Sequence, residues 1–207
     1  MPALKLSRFL ERLPKNAPAH ISGDLATAFE IVGKFTVRAK EIRSDPTLSR
    51  AGVAIAIEKV LTSGALGHMK QLQNQAQNRL LDMKAQRGVL RERALKHDHA
   101  PELMAEIRGY LRGLPQADRM KAVASGDPMI KVAALSAPAF LSGLPDDFWA
   151  ATADAVTQEK FGQALEEIDV IERSYAEMHS AISLATDDLR RESGIEPGDF
   201  AKVAEAA

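Results

Sequence analysis

The stretch ALEEIDVIERSYAEMHSAISLATDDL, residues 164–189, decides how the rest of the chain is read. Its apolar residues Ala164, Ile168, Ile171, Tyr175, Met178, Ile182, Ala185 and Leu189 alternate spacings of four and three without a miss. An α-helix turns every ~3.6 residues, so this alternation lines one helix face. Held over more than about three heptads, it is the pattern of a coiled-coil-type seam. Upstream the helical pattern reaches back to Pro145, and Gly194 ends it. One helix over 145–193 would run roughly 70 Å at ~1.5 Å per residue.

The wider sequence agrees with a helical reading. Ala, Leu, Glu, Lys, Gln and Arg dominate, and these are strong helix formers. Aromatic residues make up only 5%, and strand-like runs of Val, Ile and Thr are nearly absent. The 207 residues and 45% hydrophobic content suffice for a real core and argue against disorder. The expected fold is all-α: an elongated helical bundle with two long helices, at about 68–98 and 145–193, and a short-helix module between them.

Five regions follow. Residues 1–46 hold N-terminal helices, first an amphipathic one with Leu4, Leu6, Phe9, Leu10 and Leu13. Pro14 and Pro18 end it. The next has Ser22 or Asp24 as cap and Leu25, Ala28, Val32, Phe35, Ala39 and Ile42 as its stripe. Residues 47–99 form a long basic helix, with a kink expected near Ser63 to Gly67 where glycines weaken it. Its stripe is thin: Met69, Leu72, Ala76, Leu80, Met83, Leu90 and Ala94. Residues 100–144 are short helices, the first with Leu103, Ile107, Tyr110, Leu111 and Leu114 as its apolar face. Residues 145–193 are the seamed helix, and 194–207 a tail with a last turn at 199–204.

The junction Leu111-Arg112-Gly113-Leu114-Pro115 recurs as Leu141-Ser142-Gly143-Leu144-Pro145. At both, Gly is expected to take the left-handed helix-ending conformation and Pro to open the next helix. Gly126-Asp127-Pro128 reads as another stop and start, with Asp127 as the cap.

Charge is unevenly spread although the net charge is -1. Residues 68–96 carry Lys70, Arg79, Lys84, Arg87, Arg91, Arg93 and Lys96 against Asp82 and Glu92. Residues 145–177 carry nine acidic side chains, from Asp146 to Glu177, against Lys160 and Arg173. The basic helix is expected to lie alongside the acidic one, within a chain or between chains. The competing expectation is a nucleic-acid site built on Lys84, Arg87, Arg91 and Arg93.

Signs of catalysis are missing. With no cysteine there are no disulfides, thiolate zinc sites or thiol nucleophiles. His97-Asp98-His99 is the one histidine cluster, and its i,i+2 spacing does not put both rings on one helix face. Nucleophile elbows and phosphate loops are absent. Adjacent carboxylates such as Asp146-Asp147 diverge on a helix, and the helix dipole accounts for their place after Pro145. Phe148-Trp149 is expected to pack the short-helix module onto the last helix. Neither a catalytic residue, a metal nor a cofactor is expected, and no small-molecule ligand is inferred.

No apolar run approaches the ~20 residues of a membrane span. The N-terminal stretch is broken by Lys5, Arg8, Glu11 and Arg12, unlike a secretory signal. The expected location is cytoplasmic.

The stretches 119–127, RMKAVASGD, and 133–144, AALSAPAFLSGL, resemble a segment of uncharacterised all-helical proteins of tailed bacteriophages and prophages. The resemblance covers residues 119–144 and implies a virion or assembly component, without a catalytic site. Together the seam and the missing chemistry lead to a non-enzymatic structural or assembly protein. It would act by self-association or by binding another protein along the seam Ala164, Ile168, Ile171, Tyr175, Met178, Ile182 and Leu189. The nucleic-acid-binding helix is the alternative.

Overall fold

The computed structural model describes residues 2–125 and 127–206, with side chains from residue 4 onward, and every regular element among them is helical. The all-α expectation therefore holds. In chain order the helices are α1 (Pro2–Arg12), α2 (Ala19–Arg43), α3 (Arg50–Val60), α4 (Leu66–Leu95), α5 (Pro101–Gly113), α6 (Gln116–Ser125), α7 (Pro128–Leu135), α8 (Ala139–Ser142), α9 (Asp146–Ser193) and α10 (Pro197–Ala206). They form two compact units. Unit 1 comprises Met1–Met83 and Asp169–Ala207, and unit 2 comprises Lys84–Ile168.

Unit 1 is built on long apolar stripes. In α2 the whole expected stripe from Leu25 to Ile42 is buried, joined by Ile21 and Phe29. Met69, Leu72 and Ala76 of α4 and Tyr175, Met178, Ile182 and Leu189 of α9 belong to the same core. A large aliphatic side chain buried in this way contributes ~1.5–3 kcal/mol, so the stripes supply most of the driving force.

Three details of unit 1 differ from expectation. α2 starts at Ala19, earlier than Ser22 or Asp24 would allow, and has no side-chain cap. Pro18, with φ near −54°, already sets the chain for helix entry. In α1, Phe9 is buried but Leu4 and Leu10 face outward. The turn of α1 is fixed by Lys5, whose Nζ donates to both oxygens of Asp188 at 2.7 and 2.8 Å. The tail folds as α10, and its Phe200 enters the core.

α3 begins on a true cap, with Ser49 Oγ accepting from Gly52 N at 3.1 Å. The break between α3 and α4 lies where the glycines suggested it. A π turn spans Leu61–Ala65, and Ser63 and Gly64 leave helical geometry there, Gly64 with φ 140°. That torsion is open only to glycine.

Unit 2 is made of short helices and smaller side chains. Its core holds Leu111, Val123, Ala134, Ala139 and Leu144, with Phe148 and Trp149 packed against it as expected. Asp127 caps α7, its Oδ1 accepting from Met129 N at 2.7 Å, while Gly126 lies outside the described residues. α9 departs from the regular helix expected over 145–193. Phe161 has φ −132° and ψ 25°, a kink just before Gly162, a weak helix former.

The two recurrent junctions do not end alike. Gly143 takes the left-handed conformation, φ 67°. Gly113 stays helical, and Leu114 turns extended at ψ 150°, as a residue before proline prefers.

Candidate functional site

The seam residues have separate fates. Tyr175, Met178, Ile182 and Leu189 are buried in the core of unit 1, and Ile171 packs against it half-buried. In unit 2, Ile168 is buried and Ala164 half-buried. The stretch Tyr175–Leu189 is thus already covered by the chain's own helices and offers no open stripe to a partner. Tyr175 finds the polar outlet its hydroxyl needs. Its oxygen and His20 Nε2 share a hydrogen bond of 2.9 Å.

The basic residues of α4 are divided as well. Lys84 and Arg93 are exposed, while Arg87 and Arg91 are half-buried. Arg91 reaches across to α9. Its guanidinium lies 5.1 Å over the Trp149 ring, Nη1 is 3.7 Å from Asp154 Oδ1, and Nη2 donates to Ala150 O at 3.5 Å. One pair from the basic and acidic stretches, Arg91 with Asp154, thus meets within the chain. Cation–π contact and desolvation hold the side chain against the helix. Lys84, Arg87 and Arg91 still line a groove of about 500 Å³ with Asp154 and Gln158.

The short-helix module carries the feature that sequence reading missed. Arg119 on α6 gathers the carbonyls of both recurrent junctions. Nε donates to Leu111 O at 2.8 Å, Nη2 to Leu114 O at 2.8 Å and Arg112 O at 3.2 Å, and Nη1 to Gly143 O. Arg112 Nη1 adds a bond to Leu141 O at 2.6 Å. A guanidinium is a planar fork of donors, suited to the carbonyls that helix C-termini leave free. Its positive charge also meets the negative ends of the helix dipoles. Nothing at the level of spacing announces this, because Arg119 acts on main-chain atoms.

The ties hold an apolar surface outward. On α5 the buried side chains are Met104 and Leu111, with Arg108 Nη1 donating to Ser136 Oγ at 2.8 Å. The expected face is therefore split, with Leu111 inside and Leu114 packed half-buried against the core, while its other members are less covered. Leu103 is 42% and Tyr110 60% exposed, while Ile107 and Leu114 are half-buried. On neighbouring α8, Phe140 is 72% exposed and Leu141 also faces out. Large apolar side chains held outward in a cluster mark interaction surfaces more often than scattered ones.

His97 and His99 sit past the end of α4, rings 5.7 Å apart, with His99 N donating to His97 Nδ1 at 3.3 Å. Among the described residues no three His, Asp or Glu side chains gather as a metal site, and no helix is long and apolar enough to cross a membrane. Compared with known protein families, curated proteins and solved structures, the chain matches none.

Proposed function

We propose that this chain is a non-enzymatic structural or assembly protein that associates with a second copy of itself through the outward face of α5 and α8. The observation that carries the reading is Phe140, 72% exposed on a helix of four residues that hydrogen bonds to Arg112 and Arg119 hold in place. Rigidly presented aromatics lose little freedom on binding and dominate interface energetics. On α5, Leu103, Ile107 and Tyr110 follow at helical spacing as the rest of the patch, with Ile107 half-buried.

Charge supports a second copy as the occupant. α5 carries Glu102 and Glu106 toward its N-terminus and the exposed Arg112 at its C-terminus, whereas Arg108 turns inward to Ala133 O and Ser136 Oγ. Two such helices laid antiparallel bring acid against base at both ends, as a two-fold symmetric contact requires. The resemblance of residues 119–144 to helical proteins of tailed bacteriophages falls on the same module. It supports a virion or assembly component, which works in many copies.

Light scattering of the purified protein across concentration tests the reading. The expected result is a mass above the monomer that Phe140→Ser together with Tyr110→Ser returns to the monomer. A monomer at every concentration, or a larger species indifferent to both changes, would overturn it. A salt-sensitive shift of duplex DNA in the same samples, lost on charge reversal of Lys84 and Arg93, would move the assignment to the nucleic-acid alternative.

A further inference from the structure

Unit 2 contains a cleft of about 270 Å³ between the end of α4, α7 and the first part of α9. Its walls are apolar: Leu95, Val132, Leu135 and Val156. Its rim is cationic: Lys96, Lys131 and Lys160 against the single carboxylate of Glu159. Leu135 is buried, and the other wall residues are half-buried.

From this arrangement we infer that the cleft binds a small anionic amphiphile, a monocarboxylate with a short apolar tail. The walls match a hydrocarbon, which gains by leaving water in proportion to the area covered. They offer the tail no side-chain polar group, so selectivity falls to the rim. Three ammonium groups against one carboxylate favour an anionic head and disfavour a cationic one. Lys160 Nζ already donates to Ala94 O at 2.6 Å, which answers a free carbonyl at the end of α4. An ammonium has three donors, so two remain for a ligand.

Size narrows the class. The volume lies just under the ~300 Å³ at which sites for drug-sized ligands begin. At ~30 Å³ for each water-sized group, it accommodates roughly nine such groups. A medium-chain carboxylate fits these limits, and octanoate is the probe.

The experiment is a titration of the full chain with octanoate, followed by backbone amide resonances, with octylammonium as the matched cation. Expected are saturable shifts centred on Leu95, Val132, Leu135 and Val156. Octylammonium should bind at least about tenfold more weakly, a factor that a difference of ~1.4 kcal/mol in head-group interaction provides. Lys96→Glu with Lys131→Glu should abolish that preference, and an unchanged thermal midpoint shows that these rim changes leave the fold intact. Equal affinity for the two probes, shifts centred elsewhere, or no saturation below the concentration at which octanoate self-associates would each overturn the proposal. The outcome is independent of the association test, because Phe140 and Tyr110 do not line the cleft.

Discussion

Unit 1 and unit 2 solve the same packing problem by different means. In unit 1 long helices lay continuous stripes of Leu, Ile, Phe and Met into one core. In unit 2 the core is small and includes Ala134 and Ala139, and α8 spans only Ala139–Ser142. Short helices bury little apolar area per turn and expose many unpaired carbonyls at their ends. Unit 2 answers with arginines and one tryptophan that donate to main-chain oxygens: Arg119, Arg112, Arg108 and Trp149, whose Nε1 donates to Ala134 O at 3.2 Å. Where side-chain volume is scarce, polar ties to the backbone carry more of the order.

The largest effect that can break this contrast belongs to unit 1. Ile182 is fully buried, and Ile182→Ala should destabilise by about 2–5 kcal/mol through lost transfer energy and a residual cavity. Urea denaturation followed by circular dichroism measures it, and a loss below ~1 kcal/mol would mean that the stripe is not what holds the unit.

The next effect belongs to unit 2. Arg119→Ala leaves the carbonyls of Leu111, Arg112, Leu114 and Gly143 without their donor. A loss of about 2–3 kcal/mol is expected, in line with hydrogen bonds from a charged donor. Hydrogen exchange should quicken in α5–α8 and stay unchanged in α2. Arg119→Lys should not restore protection, since a single ammonium cannot reach the same fan of oxygens. Equal quickening in both units would erase the distinction.

The smallest effect concerns an ionic feature of unit 1. Asp187 accepts from Arg190 at 2.7 Å and pairs with Arg191 at 2.6 Å. The hydrogen bond from Arg190, aided by the charges of Arg190, Arg191 and Lys5, holds its carboxyl below the ordinary 3.8. A depressed carboxylate stabilises the fold above its unfolded pKa, and that contribution fades as pH falls through the folded value. Asp187→Asn should therefore lower the urea midpoint slightly near neutral pH, and the gap should close at pH values below 3.8. A gap constant with pH would remove the ionic account.

Much of unit 1 was legible in the sequence because its signal is periodic. Residues 25–42 and 175–189 each offer a single apolar face, so helix and buried side follow together. In α5 two faces compete. Leu103 and Met104 are adjacent, as are Tyr110 and Leu111, so the stripe can be drawn through either set with a rotation of ~100°. The structure buries Met104 and Leu111, and α7 offers Ala133 and Ala134 to the unit's interior. The exposed patch was hidden for that reason. Arg119 was hidden for another: a side chain that bonds carbonyls leaves no pattern of partner residues. The contact of Arg91 with Asp154 was anticipated in kind, since opposite charge biases on two long helices suggested it, but Trp149 as its ring partner was not.

Gly64 has a consequence for how this chain tolerates change. A Cβ placed there would meet nothing within 4 Å, and the position is exposed. By accessibility alone it would rank among the freest sites in unit 1. Yet φ 140° forbids every side chain regardless of size, so alanine is refused as firmly as tryptophan. A library of substitutions across residues 50–95 would show a hole at this position, set by torsion and invisible to any map of contacts.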